Sequence, residues 1–271
     1  MSAGGRWLPA IREEGLRTAR VHLSGMSGIV EAEVLDDGER LRVGGSVFQA
    51  AHARYEPACT GLVYGVLLND TDTLAALAGA LTRPPYNAPP KAPVLYIKPW
   101  NTLAGHGACV ALPRGEAEVE VLGTVGAVIG IQATRVTEAD ALHCVRGFTV
   151  VADLSLAQRS LHRPPVREKC FDASCPVGPW IVTRDLVPDP GALEVRVSVA
   201  GEVRQRRSLR DLVRSVPRLI AEVSAFLTLY PGDVLLAGVP HEGPRARPGD
   251  AVAVDVAGVG RLACRIVESR A

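Results

Sequence analysis

Residues 115–131 read GEAEVEVLGTVGAVIGI, and residues 147–155 read GFTVVADLS. Both are rich in valine and carry glycines that weaken a helix, so each reads as strand: GEAEVEV, GTVGAVIGI and GFTVVADL. The pattern continues outward in both directions. Upstream, ARVHLSG, GIVEAEVLDDG and ERLRVGG form short β-rich pieces, with Asp36-Asp37-Gly38 between alternating apolar runs as a hairpin signal. CTGLVYGVLLN at 59–69 follows, and downstream come GALEVRVSVAG, DVLLAGV and AVAVDVAGVGRLACRIV. Gly260 and its glycine neighbours punctuate the last of these as bulges or close backbone approaches would.

Helical spacing is confined to three places. DTDTLAALAGALT has Asp70 or Asp72 placed to cap it, and TEADALHCV has Thr137. In SLRDLVRSVPRLIAEVSAFLTL, apolar residues recur at three and four from Leu209 to Phe226; Ser208 can cap it, and Pro217 predicts a kink or break. RPPYNAPPKAP at 83–93 suits neither helix nor central strand, because proline lacks the N–H and fixes φ. It reads as a loop, either a binding loop or a plain connection, leading into the strand VLYIKP. Strands dominate and their connections are mixed. The expected fold is therefore α+β, mostly β, with a rolled or sandwiched β core and few helices. A small N-terminal β-rich domain over 1–58 would precede a core domain over 59–271. No internal repeat is present.

A chain of 271 residues, 47% of them hydrophobic, can bury a sizeable core. Thirty basic residues against 29 acidic leave no net field to draw it to nucleic acid or a membrane surface. With scattered arginines and only four Phe, a stacking platform for single strands is not expected. No run reaches the ~18 uninterrupted apolar residues of a spanning helix. The N-terminus MSAGGRWLPAIREEGLRTARV lacks the apolar core of a signal peptide, which points to the cytoplasm. The six cysteines lack the paired spacings of a zinc site and read as reduced, mostly buried thiols, Cys170 and Cys175 included.

From Tyr64 to Val267 the motifs resemble, in order, those of the fumarylacetoacetate hydrolase family. GTVGAVIG looks like its strand ending in valine-isoleucine-glycine, and GFTVVADLS like its segment ending in asparagine-aspartate. KCFDASCPVGPWIV resembles its lysine-serine-phenylalanine-aspartate to proline-x-glycine-proline segment. LYPGDVLLAGVP and RPGDAVAVDVAGVGRL resemble its two proline-glycine-aspartate segments. PPYNAPPKAPVLYIKPWNTL and LHRPPVREKCFD narrow the resemblance to the isomerase/decarboxylase branch of 4-hydroxyphenylacetate (homoprotocatechuate) breakdown, the first to its N-terminal half. The resemblance implies the family's rolled β core. It also implies decarboxylation or isomerisation of an unsaturated oxo-dicarboxylic or tricarboxylic acid.

The family's chemistry usually depends on a divalent metal held by a Glu-x-Glu pair and an aspartate, the ion stabilising a developing enolate. Aligned on Val128-Ile129-Gly130, those glutamate positions are Leu122 and Thr124, while Asp153 remains. No metal is therefore expected in this chain. The alternative, Mg²⁺ or Mn²⁺ on Glu118, Glu120 and Asp153, slides the pair roughly 13 Å along the strand and needs a compensating bulge. Otherwise Glu116, Glu118 and Glu120 form a solvated acidic face. The family's histidine position is Thr73, and its threonine-glycine-threonine-proline has become Ala237-Gly238-Val239-Pro240.

The cationic positions persist. By resemblance Lys98 and Arg163 bind substrate carboxylates, which physically need fixed cations. Lys169 is the expected catalytic cation, with His162 as acid/base group and Tyr86 closing over the site. His106 and His241 lie in loops beside matched segments. A small-molecule carboxylic acid is the expected partner, with a homodimer or a pairing with a homologous subunit. Two other readings stay open: a non-catalytic partner of a metal-binding homologue, and the same fold recruited to another pathway's decarboxylation or lyase step.

Overall fold

The computed structural model describes residues 15–157 and 164–269. Strands β1 (Arg17–His22), β2 (Val30–Leu35), β3 (Arg40–Val43), β4 (Ser46–Gln49) and β5 (Arg54–Tyr55) come first. Next are β6 (Val63–Leu67), helix α1 (Thr71–Leu81), β7 (Val94–Lys98), β8 (Leu103–Ala104) and β9 (Ala108–Ala111). The centre holds β10 (Val119–Ile129), α2 (Glu138–Ala141), β11 (Val145–Ser155), α3 (Val166–Lys169) and β12 (Cys175–Thr183). Then follow β13 (Glu194–Val199), β14 (Glu202–Ser208), α4 (Val216–Ser224), β15 (Val234–Leu236), β16 (Arg245–Ala246), β17 (Ala251–Val256) and β18 (Gly260–Val267). This is the α+β, mostly β architecture the strand pattern implied.

Thirteen strands form one sheet whose main path runs β4-β3-β2-β1-β12-β11-β10-β15-β6-β7, and five form a second, β14-β13-β17-β18-β9. GEAEVEV and GTVGAVIGI fuse into the single strand β10, paired antiparallel with β11 from Glu120↔Ser155 through Val128↔Gly147. The alternation along β10 separates two environments. Its odd-numbered residues face the second sheet: Val121 and Val125 pack in one cluster with Val195, Val197, Val252 and Val254. Gly123 on that face lets the sheets approach, since a Cβ there would lie 2.6 Å from Val197 Cγ2. Leu122, Thr124, Gly126 and Val128 face the opposite side, where Val128 joins Val63, Val151, Cys175, Val234 and Leu236.

The Asp36–Gly38 turn joins β2 to β3 in the expected hairpin, with Val34 opposite Leu41. The first five strands bury their own apolar cluster around Ala19, Val21, Ala32 and Leu41, yet β1 pairs with β12 of the large sheet. Asp70 and Thr137 cap α1 and α2 through the Thr73 and Asp140 N–H groups. The long helix expected from Ser208 is not formed as such. Ser208 caps only a 3₁₀ turn, Leu209–Asp211, and α4 starts separately with Ser215 as its cap. Pro217 sits in the first turn of α4, where a missing N–H loses no bond, so it opens the helix instead of kinking it. The six cysteines are free thiols.

Candidate active site

The site follows from how the large sheet curls. Lys98 ends β7 and Asp153 lies on β11, four strands apart along the sheet. A flat sheet would separate those strands by about 19 Å. Instead Lys98 Nζ lies 2.9 Å from Asp153 Oδ1, so the sheet rolls until its two regions face each other. Asp153 has no exposed surface and stands directly opposite Leu122 across the β10–β11 ladder.

Asp153 is the hub. Lys98 approaches one oxygen; Lys169, at the end of α3, donates to Oδ2 at 2.7 Å, and the Tyr96 hydroxyl donates to the same oxygen. Burial alone would raise the Asp153 carboxyl, but the charges of Lys169 and Lys98, with hydrogen bonds from Lys169 and Tyr96, bring it down to about 2. Burial and the neighbouring carboxylate push the Tyr96 phenol well above its ordinary value, so it serves as a donor. Tyr96 fits because Gly65 is its cross-strand partner; a Cβ at Gly65 would sit 1.9 Å from the ring.

The two lysines differ in what they have left to offer. Lys98, fully buried, donates to Asp153, to Ser174 Oγ at 3.1 Å and to the Lys169 carbonyl, which occupies its three N–H groups. Ser174 Oγ in turn donates to that carbonyl at 2.9 Å. The expectation that Lys98 grips a substrate carboxylate gives way to a positioning job: it fixes Asp153 and the end of α3. The Lys169 ammonium makes one hydrogen bond among the described residues, to Asp153, and lies 4.7 Å above the Tyr96 ring. Two N–H groups remain for a ligand. With two cations around one carboxylate, the cluster has an excess positive charge.

A magnesium-type dication needs several oxygen ligands. At the three positions assigned by the resemblance, one carboxylate stands among two ammonium groups, beside buried Leu122 and a Thr124 hydroxyl that donates to the Gly238 carbonyl at 2.7 Å. This donor set does not fit such an ion. The alternative of Glu118, Glu120 and Asp153 is not brought together either. The β10–β11 register runs without a bulge from Glu120 to Val128, and Glu118 pairs with Arg245 and Arg247. Among the described residues no three His, Cys, Asp or Glu side chains group to hold a metal.

Glu120 has a different place from the solvated face expected for it. It stands one same-face step from Leu122, half-buried. Burial raises its carboxyl pKa, and the charges of Arg245, Glu242, His241 and Lys169 also reach it. Tyr86, on the proline-rich loop, is 38% exposed and lines a cavity with α1 and residues 239–241. His241 borders that cavity, and its backbone N–H donates to Thr73 Oγ1. His106 is structural: its Nδ1 accepts from the Ala263 N–H, it stacks edge-on with Tyr55, and burial lowers its pKa. His162 and Arg163 lie outside the described residues. Tyr96 was missed in the sequence, where the available signal was its place two residues before Lys98 on one strand face.

The fold and motif order agree with known proteins. The model of the fumarylacetoacetate (FAA) hydrolase C-terminal family matches residues 62–267. A 4-hydroxyphenylacetate degradation bifunctional isomerase/decarboxylase from Salmonella dublin is 36% identical over 212 residues, covering 78% of this chain and 48% of that protein. The chain thus spans about half the length of these curated relatives. A solved 5-carboxymethyl-2-hydroxymuconate delta-isomerase from Mycobacterium smegmatis superposes with a TM-score of 0.79 at 30% identity, covering 94% of this chain and 100% of that one. A 2-hydroxyhepta-2,4-diene-1,7-dioate isomerase from Mycobacterium marinum gives a TM-score of 0.78 at 27% identity, with the same coverage. Its rolled sheet, its motif order and this match over residues 62–267 together make the chain a member of the fumarylacetoacetate hydrolase family.

Proposed function

We propose that this chain is an enzyme that decarboxylates or tautomerises an unsaturated oxo acid without a metal of its own, with Lys169 in the ion's electrostatic role. The observation that carries the reading is the Lys169 ammonium, held on a buried carboxylate with two N–H groups left to donate. The acid's carboxylate or oxo oxygen binds this ammonium. In decarboxylation the bond to the departing carboxylate breaks and its electron pair moves into the oxo group. Carbon dioxide leaves, and the enolate oxygen develops charge beside Lys169. In tautomerisation a proton leaves one carbon and returns to another through the same enolate. Stabilising the enolate is a matter of donors fixed in advance, and Asp153, Lys98 and Tyr96 fix this one. Glu120, its carboxyl raised by burial, is the group we assign to carry the proton. His162 and Arg163 keep their expected roles as acid/base group and carboxylate partner. The reaction class is that of 4-hydroxyphenylacetate breakdown, decarboxylation or isomerisation of an unsaturated oxo acid.

Removing one such donor typically lowers kcat about 10²–10³-fold. Lys169→Ala should show at least that loss with the fold intact by circular dichroism, and unchanged turnover would overturn the assignment. A second reading has its own support: a leucine and two threonines stand at 122, 124 and 73, where the family pattern has its metal and proton-transfer groups. Under it the chain is a non-catalytic partner, in a homologous pair, of a metal-binding subunit. Co-purification decides between them, since a chain that turns over alone and never associates with a homologue excludes it.

A further inference from the structure

Beneath the proline-rich loop is a cavity of about 190 Å³, and its walls are Leu67, Leu77, Leu81, Val94, Val239 and Pro240. It borders the lysine cluster by strand register. Leu67↔Val94, Gly65↔Tyr96 and Val63↔Lys98 are successive same-face pairs of β6 and β7. One two-residue step, about 7 Å, therefore separates the cavity floor from Tyr96. On the far wall, Gly238, next to Val239, accepts the Thr124 hydroxyl.

Among the polar groups lining the cavity, the Thr73 hydroxyl is already engaged, while His241 contributes its imidazole to the wall. The Thr73 hydroxyl donates to Asp70 Oδ1 at 3.0 Å and accepts from the His241 N–H at 3.0 Å. Among the described residues no lysine or arginine lines it. A carboxylate entering here would lose its hydration and find no lysine or arginine among the described residues, which is unfavourable. An apolar group would gain. A cavity near 150 Å³ lined by aliphatic side chains holds a benzene ring.

We propose that this cavity is the specificity pocket of the lysine site and takes an apolar substituent of the oxo acid, a phenyl ring or an alkyl chain of about six carbons, in place of a second carboxylate. This rests on the reading that Lys169 anchors the acid. It separates the chain's ligand from the dioate named for the Mycobacterium marinum isomerase.

The test is a calorimetric series on the whole chain in EDTA with pyruvate, 2-oxobutanoate, 2-oxohexanoate, phenylpyruvate and 2-oxoglutarate. Affinity should rise about fourfold per methylene from pyruvate to 2-oxohexanoate. Phenylpyruvate should also bind more tightly than pyruvate, and 2-oxoglutarate no more tightly. Lys169→Ala should lower every affinity and keep the slope, whereas the cavity-filling Leu77→Trp should abolish the slope. A flat series with pyruvate still bound, or a preference for 2-oxoglutarate, overturns the pocket and leaves the anchor standing. Affinities that Lys169→Ala does not change overturn the anchor, as does binding of no oxo acid, and the pocket falls with it.

Discussion

Replacing Asp153 by Asn removes the one anion from a cluster that holds two buried cations. The carboxylate takes hydrogen bonds from Lys98, Lys169 and Tyr96, and neither Asp153 nor Lys98 has any exposed surface. The amide keeps the shape but not the charge, so Lys98 stays buried without a counterion. Breaking a buried pair in this way costs about 3–5 kcal/mol. A chain of this size loses roughly 2–4 °C of melting temperature per kcal/mol, so the midpoint should fall by about 10 °C in a calorimetric scan. Adding Lys98→Met to Asp153→Asn removes the stranded cation and should recover part of the loss, a coupling of about 1–3 kcal/mol. A melting point for Asp153→Asn within about 2 °C of wild type would refute the charge-hub assignment.

Three further predictions follow from the same geometry. Because the Asp153 carboxyl is held at about 2, below the 3.8 of a free aspartate, the unfolded chain binds the proton more readily. The resulting stability, roughly 2 kcal/mol, should be fully present above about pH 4 and fade as pH falls towards 2; urea midpoints across pH 5–2 should show this fall in wild type and not in Asp153→Asn. Gly65→Ala places a Cβ 1.9 Å from the Tyr96 ring, which must move off Asp153. Urea unfolding should register a loss of about 1–3 kcal/mol together with lower turnover. Leu122→Glu with Thr124→Glu puts one carboxylate opposite Asp153 and a second one same-face step along β10; the double variant should bind Mn²⁺ by electron paramagnetic resonance at concentrations where wild type does not.

Elements whose information is local were readable from the sequence. The valine-rich strands, the Asp36–Gly38 hairpin and the Asp70 and Thr137 caps each depend on neighbouring residues. The helical run expected from Ser208 to Phe226 is broken, but ahead of Pro217, because periodicity does not distinguish Pro217 as an interruption from Pro217 as a first-turn residue. Motif order brought Lys169 and Asp153 into view, but not their neighbours' roles. Whether Lys98 meets a substrate or a buried carboxylate depends on how far a sheet of thirteen strands curls, which no local pattern encodes. Tyr96 was invisible for the same reason: its partner is 57 residues away. Glu120 looked like one of three alternating surface glutamates. The pairing of β10 with β11 sets it opposite Ser155, one same-face step from the Leu122–Asp153 pair, while Glu118 turns to Arg245 and Arg247.

The central claim is a cation-lined oxo-acid site that works without its own metal. It is tested most directly by titrating the purified chain with oxalate, a stable dianionic mimic of an enolised oxo acid, in EDTA and then with Mn²⁺ present. The expected result is oxalate binding in EDTA, unchanged by Mn²⁺ and lost in Lys169→Ala. Oxalate binding only when Mn²⁺ is present would contradict it and return Glu120 and Asp153 to the role of metal ligands.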